Sequence, residues 1–218
     1  MCCAQSKKLL LIRPAIPNDE YTCKFSYPAS SQIGPKALVE GWEVTDLGGE
    51  AANRANVERS ISNIQPDLII HYNHGGPLGL FGQLNNTKET VIDSANVGLL
   101  SRALVSTVSC SSAFLLGPLA NAASTRLRRA YLGYSLPIWT DFRYVDYYTQ
   151  AANAANFALL EGKTFLEAKN IGFQQYTSEI MKLLALNDPR AVVAAIGLWH
   201  DRNGLFLHGD GEAKAYDP

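Results

Sequence analysis

The chain has 218 residues, 47% of them apolar and 18% charged, with a net charge of −1. This length suits one α/β domain with a sizeable core. With neither a polybasic patch nor an acidic tail, nucleic acid and anionic membrane are not expected partners. The longest early apolar run, Leu9-Leu10-Leu11-Ile12, is too short for a secretory signal, and no stretch is long enough to span a bilayer. Four cysteines (Cys2, Cys3, Cys23 and Cys110) are too few to staple a chain this long, so the expected compartment is the cytoplasm. No basic cluster accompanies Cys2-Cys3, and residues 1–7 read as a disordered start to a single domain spanning 1–218.

In chain order, Lys8 to Arg13 reads as the first strand and Pro14 to Pro35 as a long loop, rich in Pro, Ser and Tyr. A short helix over Gly34 to Gly41 leads to a second strand, Trp42 to Leu47. Val57, Ile61 and Ile64 fall at helical spacing within Asn53 to Ile64, and Pro66 ends that helix. Asp67 to Asn73 is the third strand. Gly75, Gly76, Gly79 and Gly82 then read as a flexible loop, and Asp93 to Leu100 as a helix. Ala103 to Ser109 is the fourth strand and Ala113 to Ala122 a buried helix. A short fifth strand, Ala130 to Gly133, precedes the loop Tyr134 to Phe142. Tyr144 to Glu161 is helical and stops at Gly162. Thr164-Phe165-Leu166-Glu167 is a capping box opening a helix to about Leu184, and Asp188-Pro189 breaks it. Arg190 to Trp199 reads as a sixth strand, turned back at Asn203-Gly204 into Leu205 to His208. Strands alternating with helices predict a mostly parallel sheet covered on both faces.

Two of these strands end in reactive residues, His74 and Cys110. Chemistry collects at the carboxyl ends of strands in an open α/β sheet, so a cysteine nucleophile can meet an imidazole acid/base there. A helix directly after Cys110 would lower its pKa. The N–H groups of Gly75 and Cys110 could face a developing oxyanion, and Gly75-Gly76 leave room for a substrate carbonyl. Taken singly, a cysteine or histidine at a strand end is more often structural. The argument therefore rests on the pair. His71-x-x-His74 places its two rings on opposite faces of a strand, which disfavours a shared metal and makes His71 a buried, hydrogen-bonded residue.

The runs Ile69-Ile70-His71-Tyr72-Asn73-His74-Gly75 and Val105-Ser106-Thr107-Val108-Ser109-Cys110 resemble the His-Gly and small-Cys motifs of clan CD cysteine peptidases. Ser109 stands where alanine is commoner. Ala130-Tyr131-Leu132-Gly133-Tyr134-Ser135 with Trp139 and Asp141 is similar to the fifth strand and pocket loop of gingipain-like members. Leu205-Phe206-Leu207-His208-Gly209-Asp210 resembles their closing strand, with Gly211 in place of a proline. The resemblance implies a caspase–hemoglobinase-like three-layer sandwich with a mostly parallel six-stranded sheet. It also implies an endopeptidase in which Cys110 attacks the scissile carbonyl, His74 protonates the leaving amine, and Gly75 and Cys110 hold the oxyanion.

In this clan the residue before the scissile bond dominates recognition. Trp139 could form an apolar wall of its pocket and Asp141 could pair with Arg or Lys, with Asp46, Asp93 and Asp146 as weaker candidates. The expected partner is a peptide or protein substrate, with a regulatory protein or self-association as further options. The chemistry requires no cofactor, and calcium is a candidate structural activator. The alternative readings are a caspase-like binding or signalling module without peptidase activity, and a small-molecule amidase or acyltransferase.

Overall fold

The computed structural model describes residues 6–216. Cys2-Cys3 lie outside that range. Lys7, placed in a disordered start by sequence, is instead the first residue of strand β1 (Lys7–Arg13). The segment expected as a loop from Pro14 to Pro35 is partly helical. It contains a π-turn over Thr22–Ser26, then helices α1 (Tyr27–Ser30) and α2 (Ile33–Val39). Strand β2 (Trp42–Gly48) follows, then α3 (Arg54–Ile64), whose Asn53 cap accepts the Asn56 N–H. Next come β3 (Leu68–Tyr72), the short strands β4 (Gly75–Gly76), β5 (Gly79–Leu84) and β6 (Thr87–Ile92), and a 3₁₀ turn over Val97–Arg102. The second half contains β7 (Leu104–Val108), α4 (Leu116–Ala123), β8 (Ala130–Tyr134), α5 (Val145–Leu160), α6 (Phe165–Leu184), α7 (Pro189–Gly204) and β9 (Leu205–Gly209).

Six strands form one sheet in the order β2-β1-β3-β7-β8-β9. All pairs are parallel except β8 with β9. Alternation along each strand divides the core between the two faces. Leu9, Leu11, Leu68, Ile70, Tyr72, Leu104 and Val108 pack against α1, α2, α5, α6 and α7. Leu10, Ile12, Ile69, Val105 and Tyr131 pack against α3, α4 and the β5–β6 hairpin. The result is the expected three-layer α/β sandwich. On the first face, the Trp42 indole N–H donates to the Leu160 carbonyl at 2.9 Å, fastening the edge strand β2 to the end of α5.

Two further sequence expectations fail, each for a physical reason. The first is the sixth strand, which is β9 rather than 190–199. Asp188 caps α7 through the Arg190 N–H and Pro189 opens it, the favoured first-turn position for proline. Ala191, Ala194, Ala195, Leu198 and Asp201 then line its buried face. Gly204 ends this helix instead of forming a hairpin, and its carbonyl accepts both the N–H and the hydroxyl of Ser135. The second is the glycine-rich stretch after His74, which forms an antiparallel sheet, β4-β5-β6, instead of a flexible loop. A side chain at Gly82 would collide with the Ala52 carbonyl, so that glycine permits close backbone contact.

The capping box on α6 is present in both directions: Glu167 N–H to Thr164 Oγ1 at 3.2 Å and Thr164 N–H to Glu167 Oε2 at 2.8 Å. Thr164→Ala removes the first of these bonds and is expected to cost about 1 kcal/mol. Thermal denaturation should show the midpoint falling by about 2–4 °C for a domain of this size.

Candidate active site

The site begins with strand register. β3 and β7 are adjacent and parallel, and Tyr72 stands opposite Val108 as the last pair. His74 and Cys110 each lie two residues further on, so both leave the same edge of the sheet on neighbouring strands. The chain bends sharply at both exits. Asn73 has φ +155° and Ser111 has φ +53°. Strained backbone of this kind persists where surrounding contacts hold it, and Asn73 is well held. Its buried Oδ1 accepts the His74 N–H at 2.5 Å and the Thr22 hydroxyl at 3.2 Å.

His74 also has a charged partner that sequence reasoning missed. Its Nε2 lies 2.8 Å from Asp19 Oδ2, and both side chains are about one-fifth exposed (21% and 18%). Lys88, on β6, approaches the same oxygen at 3.3 Å. Burial pushes the Asp19 carboxyl up, but the Thr22 N–H and the His74 ring outweigh it and hold the group at about 2. The carboxylate is therefore ionised at any ordinary pH. With Nε2 committed to Asp19, Nδ1 is the ring nitrogen left for proton transfer. The Tyr21 ring packs against the imidazole, with centroids 4.9 Å apart. A spacing rule could not have found Asp19, because it sits in a loop 55 positions before the histidine.

Cys110 is half-buried, and the Ile138 N–H donates to its sulfur at 3.3 Å. Burial pushes the thiol up, the Ile138 N–H and the Cys110 N–H oppose this, and nearby Asp201 adds to the rise. The thiol is thus protonated at neutral pH. The expected helix at Cys110 is absent, since residues 111–115 form turns and α4 starts at Leu116. No helix dipole lowers the thiol, which corrects the sequence expectation. The loop after β8 braces the cysteine instead. Ser111 N–H donates to the Leu136 carbonyl, and Trp139 N–H to Asp201 Oδ1 at 2.8 Å.

Gly75 lies hard against this strand end. A Cβ on it would stand 2.8 Å from Ser109 Cβ and 3.1 Å from the Cys110 carbonyl oxygen. His71 is fully buried, as expected. Its Nε2 is 2.9 Å from the Phe81 carbonyl and its Nδ1 2.7 Å from Ser109 Oγ. Only Nε2–H can serve a carbonyl, so Nδ1 accepts from the Ser109 hydroxyl. Burial pulls this imidazole down to about 4, and it stays neutral.

Trp139 and Asp141 share an open cavity of about 350 Å³ with Thr140, Phe142, Tyr148 and Gly197, and neither His74 nor Cys110 lines it. Trp139 is half-exposed and stacks on His200. Asp141 already has a cation: Arg143 pairs with it at 2.5 Å and, with burial opposing, holds its carboxyl below the usual range. The weaker candidates are also placed. Asp46 pairs with Arg13, Asp93 with Arg54, and Asp146 is exposed on the first turn of α5. Among the described residues, no group of three or more His, Cys, Asp or Glu side chains forms a metal-binding cluster, and no helix is long and apolar enough to cross a membrane.

No protein-family model and no curated protein sequence matches the chain. Solved structures do. The Arg-specific cysteine proteinase gingipain R superimposes with a TM-score of 0.63 at 10% identity, covering 94% of this chain and 46% of its own. The complex of pro- and mature domains of RgpB from Porphyromonas gingivalis gives 0.61 at 10% identity, covering 94% and 47%. Caspase-1 from Spodoptera frugiperda gives 0.52 at 13% identity, covering 95% and 86%. The chain thus spans about half the length of the gingipain structures and most of the caspase. With its six-stranded, mostly parallel sheet between helical layers, the chain has the caspase-like fold of the clan CD cysteine peptidases.

Proposed function

We propose that the protein is a cysteine endopeptidase in which Cys110 is the nucleophile and His74 the acid/base. The observation that carries this reading is the Asp19–His74 pair at 2.8 Å, standing at one strand end while Cys110 leaves the neighbouring strand in register. A buried thiol that rests protonated needs a base, and a histidine with an ionised carboxylate behind it is a fitting one.

The reaction follows from these groups. The Cys110 proton passes to His74 Nδ1 as sulfur bonds to the scissile carbonyl carbon. The carbonyl electron pair moves to oxygen, where the N–H groups of Gly75 and Cys110 receive it. The imidazolium then protonates the leaving amine as the carbon–nitrogen bond breaks. Water, deprotonated by His74, releases the acyl group and restores the thiol. Asp19 is a positioning residue. It holds the ring through Nε2 and leaves Nδ1 turned to the thiol proton.

The proposed partner is a peptide or protein, cut after Arg or Lys, with Trp139 as an apolar wall beside the site. The chemistry itself needs no cofactor, and calcium enters as a structural activator to be tested. The free thiols of Cys23 and Cys110 suit the reducing cytoplasm.

A fluorogenic peptide panel varying the residue before the cleaved bond, run with and without calcium, tests the activity. Hydrolysis is expected for wild type and should fall by about 10³-fold or more in Cys110→Ala and His74→Ala. Cleavage that survives Cys110→Ala would remove the reading.

Asp19 makes a second expectation. Its folded pKa of about 2 lies below the ordinary carboxylate value of 3.8. The stabilisation it provides is therefore complete above the unfolded value and is lost as pH falls towards 2. Asp19→Asn should be less stable than wild type in urea at pH 6, and the gap should close below pH 3. Its kcat should fall while KM changes little, as expected of a group acting through His74.

A further inference from the structure

Tyr21 enters the site hydroxyl first. Its ring is only partly buried, between His74 at 4.9 Å and Phe25 at 5.3 Å. Its hydroxyl is fully enclosed and bonds to nothing in the protein. Burial pushes the phenol up, and the charges of Cys110, Asp201, Tyr134 and Tyr72 push it further. Asp201 provides a second orphan. It is 1% exposed, and while Oδ1 accepts the Trp139 N–H, Oδ2 is enclosed without a partner. Settled cores pair such atoms, and here one lies on a side chain packed against His74 and the other on a side chain held one residue along from the Cys110 contact, which indicates a space built for something else.

We infer that Tyr21 is a removable plug in the pocket that takes the substrate side chain before the scissile bond, and that Asp201 is the specificity-determining residue at its floor, where it takes an arginine or lysine. This rests on the peptidase reading above.

Several features support it. A long side chain with a polar tip, packed on His74 with its hydroxyl enclosed, occupies the place a substrate side chain would enter. The segment bearing Tyr21 is attached to the site by few polar contacts: Asp19 to His74 and Lys88, and Thr22 to Asn73. It includes the π-turn, a rare conformation that is frequent at functional sites. Burial pushes the Asp201 carboxyl well up, which disfavours its charged form while the pocket has no cation. An incoming guanidinium or ammonium would give it an ionised state and satisfy the orphan oxygen at once. The floor is also joined to the nucleophile, because the consecutive N–H groups of Ile138 and Trp139 bind Cys110 and Asp201. Asp141 is not equivalent, since Arg143 already occupies it.

The test uses peptidyl chloromethyl ketones ending in Arg, Gln or Leu. Each alkylates a thiol, forming a carbon–sulfur bond as chloride leaves and the thiol proton passes to buffer. Mass spectrometry reads the rate at Cys110, with exposed Cys23 as the internal control for reagent reactivity. Tyr21→Ala should speed alkylation of Cys110 by the arginyl reagent about tenfold or more, leaving the Gln and Leu reagents and Cys23 nearly unchanged. Tyr21→Leu, which keeps the apolar contact but is shorter and has no polar tip, should behave alike, so either folded variant decides. Tyr21→Phe, still a plug, should remain slow. Adding Asp201→Asn to Tyr21→Ala should abolish the arginyl advantage. Equal acceleration of all three reagents, no acceleration, or an arginyl preference that survives Asp201→Asn would each overturn the proposal. Alkylation needs a thiol and a pocket but no turnover. An arginyl preference without peptide hydrolysis would therefore sink the peptidase reading and leave the pocket standing, and hydrolysis without the preference would do the reverse.

Discussion

The parallel pairing of β3 with β7 is the constraint on which the site depends. The two strands run side by side through the middle of the sheet, buried on both faces, and their last paired residues are Tyr72 and Val108. A one-residue slip would exchange the faces of every side chain on β3, which the core forbids. It would also separate the two exits. Register is thus set by packing far from His74 and Cys110, yet it determines that an imidazole and a thiol leave the sheet at one level.

Polar groups refine what the register places. Asn73 bonds both His74 and Thr22, joining the histidine to the crossover segment that carries its carboxylate. Beneath, Tyr72 accepts from Asn156 and donates to Asn153, while Ser106 donates to Asn156. These α5 asparagines satisfy hydroxyls on β3 and β7 inside the core, where an unmatched donor would be expensive. Asn153 also reaches the Ala29 carbonyl of α1. One helix therefore reads the two central strands and the crossover together.

Much of this was legible in sequence. The apolar runs marked β1, β2, β3, β7 and β8, and the Thr164–Glu167 box marked α6, because those signals are local. The α7 helix was hidden by its own surface. Val192, Val193, Ile196 and Trp199 are exposed, so the outward face is apolar and the helical period is blurred into a continuous run. Asp188-Pro189 was the better guide, since it is a helix start as much as a helix stop. The glycines after His74 suggested mobility, whereas Gly79 and Gly82 serve close contact with the Ile92 and Ala52 carbonyls. Contacts of that kind exist only after folding. Asp19 was invisible for a similar reason: its meaning comes from a crossover that brings it back over the sheet.

Ser109 is also more than a small residue tolerated beside a cysteine. It is the hydroxyl partner of buried His71, whose other nitrogen fastens the β5–β6 hairpin through Phe81. A hydroxyl can reverse its role. While the imidazole is neutral, Ser109 donates to Nδ1. If acid protonates the ring, Ser109 can turn and accept from it, and the Phe81 carbonyl keeps its bond in either state. The number of hydrogen bonds under the hairpin is then conserved through the titration, and only the burial of charge opposes it. Alanine at this position would leave one ring nitrogen unanswered in both states, so the serine acts as a buffer of hydrogen bonding beneath the candidate nucleophile.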